Sequence, residues 1–197
     1  MGRLTLIPLC IAIVAAAFGQ TPEPVTLYRQ FEREAPQAVV EGLESELIAI
    51  MAPIGYRFLW RSLESSTGSE VSLELAVVTL KGRCDVAGLA ERSNFAGTLG
   101  FTHVVNGQII PFTEIDCDHV LEFMHKGLLA VPEEDRERAL GRALGRVLAH
   151  ELYHIFAKTA RHGRSGVSKG IYTVQDLLRE GFMFRERESQ MLRATAR

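Results

Sequence analysis

Two histidines lie four residues apart in the segment LAHELYHIFAKTARHG (148–163), and a glutamate directly follows the first of them. On an α-helix, residues four positions apart differ by about 40° in direction and about 6 Å in height. His150 and His154 could therefore offer their ring nitrogens to one zinc ion, at about 2.0–2.1 Å from each. Glu151 is rotated about 100° from His150, so it would lie beside the ion and could take a proton from an attacking water. The pattern His-Glu-x-x-His is typical of zinc-dependent hydrolysis.

A catalytic zinc site usually has three protein ligands, so the two histidines of the motif require a third. The candidates are His162, eight residues after His154, and Glu180, in the predicted last helix. If the motif helix continued unbroken, His162 would lie about 12 Å further along the axis than His154 and could not reach the ion. His162 therefore requires the helix to end at about 157–160, a reversal that the glycines of TARHGRSG (159–166) favour. We favour His162, and Glu180 is the alternative.

The segment 147–191 resembles small secreted bacterial zinc proteases that carry a His-Glu-x-x-His-x7-His pattern and are related to the metzincins. In these proteins a short glycine-containing segment follows the third histidine, and HGRSGV (162–167) fits that layout. A helix with an Asp-Leu pair near its start comes next, as DLL (176–178) does here. The strict metzincin spacing would place the third ligand at Ala160, and Ser168 occupies the position that often carries a methionine.

This resemblance implies a zincin-like α+β fold, zinc as the cofactor, and a peptide or protein as the substrate. Glu151 would be the catalytic residue. The implied metal ligands are His150, His154 and His162. The hairpin at 100–112 would provide the edge strand on the substrate side of the sheet.

Hydrophobic periodicity predicts a single α+β domain over residues 21–197, with a twisted mixed β-sheet. Strands are predicted in YRFLWR (56–61) and EVSLELAVVTL (70–80). Asn106 and Gly107 separate two runs of apolar and β-branched residues, which predicts a hairpin with a type I′ turn at 100–112. The predicted helices are a backing helix (36–51), a short helix after the hairpin, an active-site helix (about 134–158) and a C-terminal helix (Val174 to about Arg193).

Small residues form a separate row on the active-site helix, at Gly141, Gly145 and Ala149. Glycine inside a helix costs up to about 1 kcal/mol relative to alanine, so two of them suggest close approach by a neighbouring element. Simple tolerance of glycine is the alternative, and the sequence alone does not separate the two.

The N-terminal segment 1–20 predicts a signal peptide, because Arg3 precedes an apolar run from Leu4 to Phe18 that is short for a membrane span. An uncleaved anchor or a buried helix is the alternative. Export would expose Cys84 and Cys117 to an oxidising compartment, where an even number of cysteines suggests a disulfide. Two buried free thiols are the other possibility, since the sequence does not show that the cysteines meet.

The charge balance gives no electrostatic reason to expect a nucleic acid or an anionic membrane as partner. The 22 basic and 24 acidic residues give a net charge of −2, which becomes −3 once Arg3 is removed with the signal peptide. The motif, the resemblance and the predicted signal peptide together imply a secreted or periplasmic zinc endopeptidase, and the charge adds no reason to expect stable membrane association. The alternatives are a zinc-binding envelope or adaptor protein without catalysis, and a disulfide-linked interaction domain whose histidines bind no metal.

Overall fold

The computed structural model describes residues 24–89 and 97–195, so the predicted signal peptide lies outside the described residues. Five strands form one mixed sheet in the order β2-β1-β3-β5-β4. The strands are β1 (Val25–Phe31), β2 (Phe58–Ser62), β3 (Leu75–Lys81), β4 (Gly100–Val105) and β5 (Gln108–Asp116). The helices are α1 (Gln37–Met51), α2 (Cys117–Leu129), α3 (Arg136–Phe156), α4 (Val174–Leu178) and α5 (Glu186–Arg193). The predicted mixed α+β architecture is confirmed.

The sheet is parallel except at one edge. Strand β1 pairs in parallel with β2 and β3, and β3 pairs in parallel with β5. Only β4, at the end of the sheet order, runs antiparallel to its neighbour β5. Alternate strand residues such as Leu27, Val78 and Ile115 are fully buried and form one apolar cluster with the helices, as expected where helices cover a parallel sheet.

Helix α3, which carries the His-Glu-x-x-His motif, lies unusually close to α1. A Cβ atom added at Gly141 would lie 2.2 Å from the carbonyl oxygen of Val39, and one at Gly145 would lie 2.7 Å from that of Leu43. Both distances are too short for any side chain larger than hydrogen. The glycine row therefore permits direct backbone contact between the two helices, and the close-approach interpretation is confirmed.

The predicted hairpin is present, with its turn at the expected residues. Asn106 has φ 51° and Gly107 has φ 77°, both in the left-handed region that a type I′ turn requires. The turn joins β4 to β5, and β4 forms an edge of the sheet.

The prediction of one continuous C-terminal helix is wrong. Helix α4 ends at Leu178, because Arg179 leaves the helical region with ψ 157°, and Gly181 then adopts φ +64°. Phe182 and Phe184 are buried while Met183 between them is exposed, so this segment alternates as an extended chain does. The alternation has a period of two and not the helical period, so Glu180 lies between α4 and α5 and outside both helices.

Two strand predictions also need correction. Strand β1 was not predicted, although it lies between β2 and β3 in the sheet. Strand β3 begins at Leu75 and not at residue 70. The segment before it forms a local turn, where the Glu70 carboxylate accepts hydrogen bonds from the backbone N–H of Thr67 and the hydroxyl of Ser66. Turns with such side-chain bonds compete with strand pairing.

Cys84 and Cys117 form a disulfide, so the free-thiol alternative is wrong. Both residues are buried, and the bond links the segment after β3 to the first residue of α2. Among the residues described, no helix combines the length and the apolar character needed to cross a membrane.

Candidate metal centre

The motif helix ends at the position that a third histidine ligand requires. Helix α3 stops at Phe156, and Lys158 then adopts the left-handed conformation with φ 47°. The N–H of Lys158 donates to the carbonyl of Ile155 at 3.3 Å, and the N–H of Thr159 donates to the carbonyl of His154 at 3.2 Å. These two bonds define a Schellman motif, which usually has glycine where Lys158 stands. The chain therefore reverses before residue 162.

The reversal brings together the three histidines that the sequence analysis favoured. The ring centroids of His150 and His154 are 4.8 Å apart, and that of His162 lies 5.1 Å from the first and 4.9 Å from the second. One ring nitrogen of each lies within 4.8 Å of the others, so the three could hold a metal ion. His150 and His154 are buried, whereas His162 is exposed.

Hydrogen bonds to backbone carbonyls fix the tautomers of the two buried rings. The Nδ1 atom of His150 lies 2.7 Å from the carbonyl oxygen of Val167, and Nδ1 of His154 lies 2.6 Å from that of Thr159. A carbonyl oxygen can only accept, so each Nδ1 carries the proton and donates it. Each Nε2 is left with an unprotonated lone pair, which is the form that binds metal.

The two Nε2 atoms face each other at 3.1 Å. Two neutral imidazoles in these tautomers have no proton to share at that distance, so their lone pairs repel. Two nitrogen ligands at 2.0–2.1 Å from a tetrahedral zinc ion would be separated by about 3.3–3.4 Å. The arrangement of His150 and His154 therefore fits a shared cation better than a hydrogen bond.

Burial keeps both rings in the neutral form. Burial lowers the pKa of His150 to about 4, even though its hydrogen bond to the Val167 carbonyl acts in the opposite direction. It likewise lowers the pKa of His154, with His162 as a further cause. At neutral pH these imidazoles need lose no proton before they bind a metal ion.

Glu151 has the environment expected of a general base. Its Oε2 atom accepts a hydrogen bond of 2.8 Å from the hydroxyl of Thr102 on β4. Burial raises the pKa of Glu151 to about 7, although the Thr102 hydrogen bond lowers it. A pKa near the ambient pH allows a carboxylate to take a proton and return it.

An open cleft of about 520 Å³ exposes the candidate site to the surroundings. His150, Glu151, His154 and His162 all line it. The edge strand β4 forms one wall, and the segment 169–172 forms another. Much of the remaining lining is apolar, from Leu99, Phe101, Val104, Ile109, Phe123, Val147 and Ile171.

Within the described residues, neither Glu180, the alternative third ligand, nor two histidines outside the motif joins this site. Glu180 is exposed between α4 and α5 and belongs to no group of metal-binding side chains within the described part of the chain. His103 pairs instead with Glu114 on the neighbouring strand, where Nε2 and Oε1 are 3.0 Å apart. His119 lies 2.9 Å, through Nδ1, from the carbonyl oxygen of Thr98.

Tyr172 supports the site in a way that the sequence did not indicate. Its ring meets that of His150 edge to face, with centroids 5.5 Å apart. Its hydroxyl donates to the carbonyl oxygen of Val167, the same oxygen that accepts the Nδ1 proton of His150. Tyr172 lies 22 residues after His150 in the sequence. No sequence pattern indicates that two side chains so far apart share one backbone carbonyl as hydrogen-bond acceptor.

The segment that carries Val167 is itself anchored on both sides. The N–H of Gly163 donates to the Ser168 carbonyl at 2.8 Å, and the N–H of Val167 donates to that of Met183 at 3.2 Å. Lys169 forms an ion pair with Asp176, the residue that completes the capping box of α4. These contacts hold the Val167 carbonyl in place against α3.

The buried guanidinium of Arg146 joins the motif helix to two other helices. Its Nε donates to Glu46 of α1 at 2.6 Å, and its Nη1 donates to the carbonyl of Asp176 in α4 at 2.7 Å. Arg146 lies one turn before His150 on α3. A buried charge persists only where partners satisfy it, so this residue fixes the relative positions of the helices around the site.

No family model matches the sequence, and no curated protein matches it either.

Proposed function

We propose that this protein is a secreted zinc-dependent peptidase. The observation that carries the proposal is the group of three imidazole nitrogens within 4.8 Å of one another, beside a buried glutamate in an open cleft. The resemblance to zincin-like proteases also implies that the three histidines bind the metal ion and that Glu151 is the catalytic residue.

The donor set favours zinc over the harder divalent cations. His150, His154 and His162 offer three neutral nitrogens, whereas magnesium and calcium are bound mainly by oxygen. Three protein ligands with one side facing a cleft are the arrangement of catalytic zinc sites. Zinc held there would act as a Lewis acid, which lowers the pKa of a water molecule and polarises a carbonyl group.

Glu151 would move the proton during hydrolysis. It takes a proton from the attacking water on its carboxylate and returns it to the departing amine when the peptide bond breaks. The hydroxyl of Thr102 holds Oε2, so one carboxylate oxygen is positioned and the other is available. Burial raises the pKa of Glu151 to about 7, so its carboxyl group can both accept and release a proton near neutral pH.

The cleft wall supports a peptide as the substrate. Strand β4 pairs with β5 on one side, and the sheet order leaves its other side at the edge. An extended peptide could pair with such an edge through backbone hydrogen bonds. Thr102 links the strand to Glu151, so a peptide on β4 would lie next to the general base.

Export is the second part of the proposal. The signal-like segment 1–20 supports it, and so does the disulfide between Cys84 and Cys117, because such bonds persist mainly in oxidising compartments.

Cleavage of a broad peptide library by zinc-loaded protein tests this function, with zinc content measured on the same samples. We expect wild type to cleave, and Glu151→Gln to lose activity by at least about 100-fold while it retains zinc. If wild type binds zinc but cleaves nothing, the protein is a non-catalytic zinc binder. If it binds no zinc, the histidines have another role.

A further inference from the structure

A second hollow, of about 790 Å³, is lined in part by the loop that carries His162. Cationic side chains dominate its lining, and we call it the basic groove. Its charged residues other than histidine are Lys158, Arg161, Arg164, Arg185, Arg187 and a single acid, Glu188. His162 lines both this groove and the candidate catalytic cleft, so the two hollows meet at the metal centre.

The five cations of the basic groove have no ion-pair partners among residues 24–89 and 97–195. Other basic side chains of the molecule do pair with carboxylates, as Arg29 does with Glu44 and Arg193 with Glu186. Within the described part of the chain, the one side-chain hydrogen bond of a groove cation runs from Nε of Arg185 to the Ser165 hydroxyl at 3.0 Å. The groove therefore places five cationic side chains against a single acidic one, on a chain whose net charge is −2.

The backbone holds these like charges close together. Lys158, Arg161 and Arg164 belong to the loop that starts at the Schellman motif and is held at Gly163. Arg185 and Arg187 come from the start of α5, which also provides the buried Glu188. Like charges in one groove repel one another and attract anions. A ligand that carries carboxylates would offset this repulsion.

We propose that the basic groove binds Asp or Glu side chains of the peptide whose backbone crosses the metal centre, so that acidic segments are the preferred substrates. This inference deepens the proposed peptidase function and rests on it for the cleavage step. A peptide fits better than a nucleic acid or an anionic membrane, because the positive charge is confined to a concave site beside the cleft. The molecule as a whole carries no net positive charge that would attract an extended polyanion.

Fluorescence polarisation with zinc-loaded Glu151→Gln protein tests the groove without cleavage. The probes are a labelled peptide in which Asp and Glu alternate with apolar residues, and a counterpart with Asn and Gln at those positions. On the same background, Arg164→Gln/Arg187→Gln removes two groove charges, and Arg61→Gln/Arg138→Gln removes two exposed charges elsewhere. We expect the groove variant to bind the acidic peptide about three- to tenfold more weakly. The control variant and the neutral peptide should show no such change.

Two further measurements separate the outcomes. Binding of the acidic peptide should weaken as salt rises, because exposed charges are screened. For wild type, the groove substitutions should raise KM for an acidic substrate with little change in kcat. Equal binding of the acidic and neutral peptides overturns the proposal, and so does tighter binding of duplex DNA, heparin or phosphatidylserine vesicles. If the protein binds the acidic peptide through the basic groove but cleaves no peptide, the binding role of the groove is supported and the proposed peptidase function is wrong.

Discussion

The imidazole of His154 donates its Nδ1 proton to the carbonyl of Thr159, the residue that completes the helix-ending Schellman motif. The six residues from His154 to Thr159 therefore end the helix, reverse the chain toward His162 and fix the tautomer of His154. Chain reversal and ligand geometry are one structural feature at this point, so a substitution that disturbs the turn should also disturb metal binding.

Lys158 allows this coupling to be tested, because it adopts φ 47°, where residues other than glycine are strained by about 1–2 kcal/mol. Lys158→Gly should leave zinc affinity unchanged and keep or raise the thermal stability. Lys158→Val removes the same charge but adds a β-branched side chain, so it should lower both. Zinc affinity by chelator competition and unfolding by circular dichroism provide the comparison. Equal behaviour of the two variants would show that the turn does not position the ligands.

The Tyr172 hydroxyl should strengthen metal binding through the Val167 carbonyl that it shares with His150. Partners of this kind usually change metal affinity by 10- to 100-fold, so we expect Tyr172→Phe to lower zinc affinity by about tenfold. Tyr28→Phe is the matched control, since Tyr28 is buried in the sheet away from the cleft. Chelator competition measures both variants. A zinc affinity for Tyr172→Phe equal to that of the control would mean that the hydroxyl plays no part in positioning His150.

Asp176 should make the fold sensitive to acid. Burial of Asp176 acts to raise the pKa of its carboxyl group. Hydrogen bonds from Lys169 and Thr173 outweigh this effect and hold that pKa below the usual value. Its contribution to the free energy of unfolding is therefore complete above the unfolded-state pKa of about 3.9 and is lost as the pH falls through the lower folded-state value. Thermal unfolding between pH 2 and 7 measures this dependence.

The comparison for Asp176 uses two substitutions. Asp176→Asn should be less stable than wild type at pH 7 and should lose less stability on acidification. Glu133→Gln, at an exposed carboxylate, should follow the wild-type profile. Parallel pH profiles for wild type and Asp176→Asn would rule out this role of the ion pair with Lys169.

The disulfide between Cys84 and Cys117 should contribute substantially to stability. It closes a sequence separation of 33 residues, for which the chain-entropy model gives about 3–4 kcal/mol. The double substitution Cys84→Ala/Cys117→Ala should lower the free energy of unfolding by that order, measured by urea denaturation. Wild type unfolded in the presence of a thiol reductant should show a similar loss relative to the oxidised wild type. A variant as stable as the oxidised wild type would contradict the expected role.

Local patterns in the sequence predicted much of the site. The spacing of His150 and His154 depends only on helical periodicity, and the turn at Asn106 and Gly107 depends only on the φ values those two residues tolerate. Both predictions agree with the structure because each depends on local geometry, with which no distant contact competes. The small-residue row on α3 also had a structural cause, although only the structure identified α1 as the neighbour.

Features that depend on distant partners were not predictable. A local feature can also lack a signal in the residue type: Lys158 adopts the left-handed conformation in a motif whose bonds run from the N–H groups of Lys158 and Thr159 to the carbonyls of Ile155 and His154. The burial of Phe182 and Phe184 on the core overrides helical continuity after α4. The Nδ1 proton of His150 is accepted by the backbone carbonyl of Val167. Every residue has such a carbonyl, so the residue type at position 167 does not indicate this role.

A crystal structure of the zinc-loaded protein, with anomalous diffraction recorded at the zinc absorption edge, tests the central claim most directly. We expect one strong peak about 2.0–2.1 Å from Nε2 of His150, from Nε2 of His154 and from a ring nitrogen of His162. A peak at another location, or a His162 ring directed away from the ion into the solvent, would contradict the three-histidine centre.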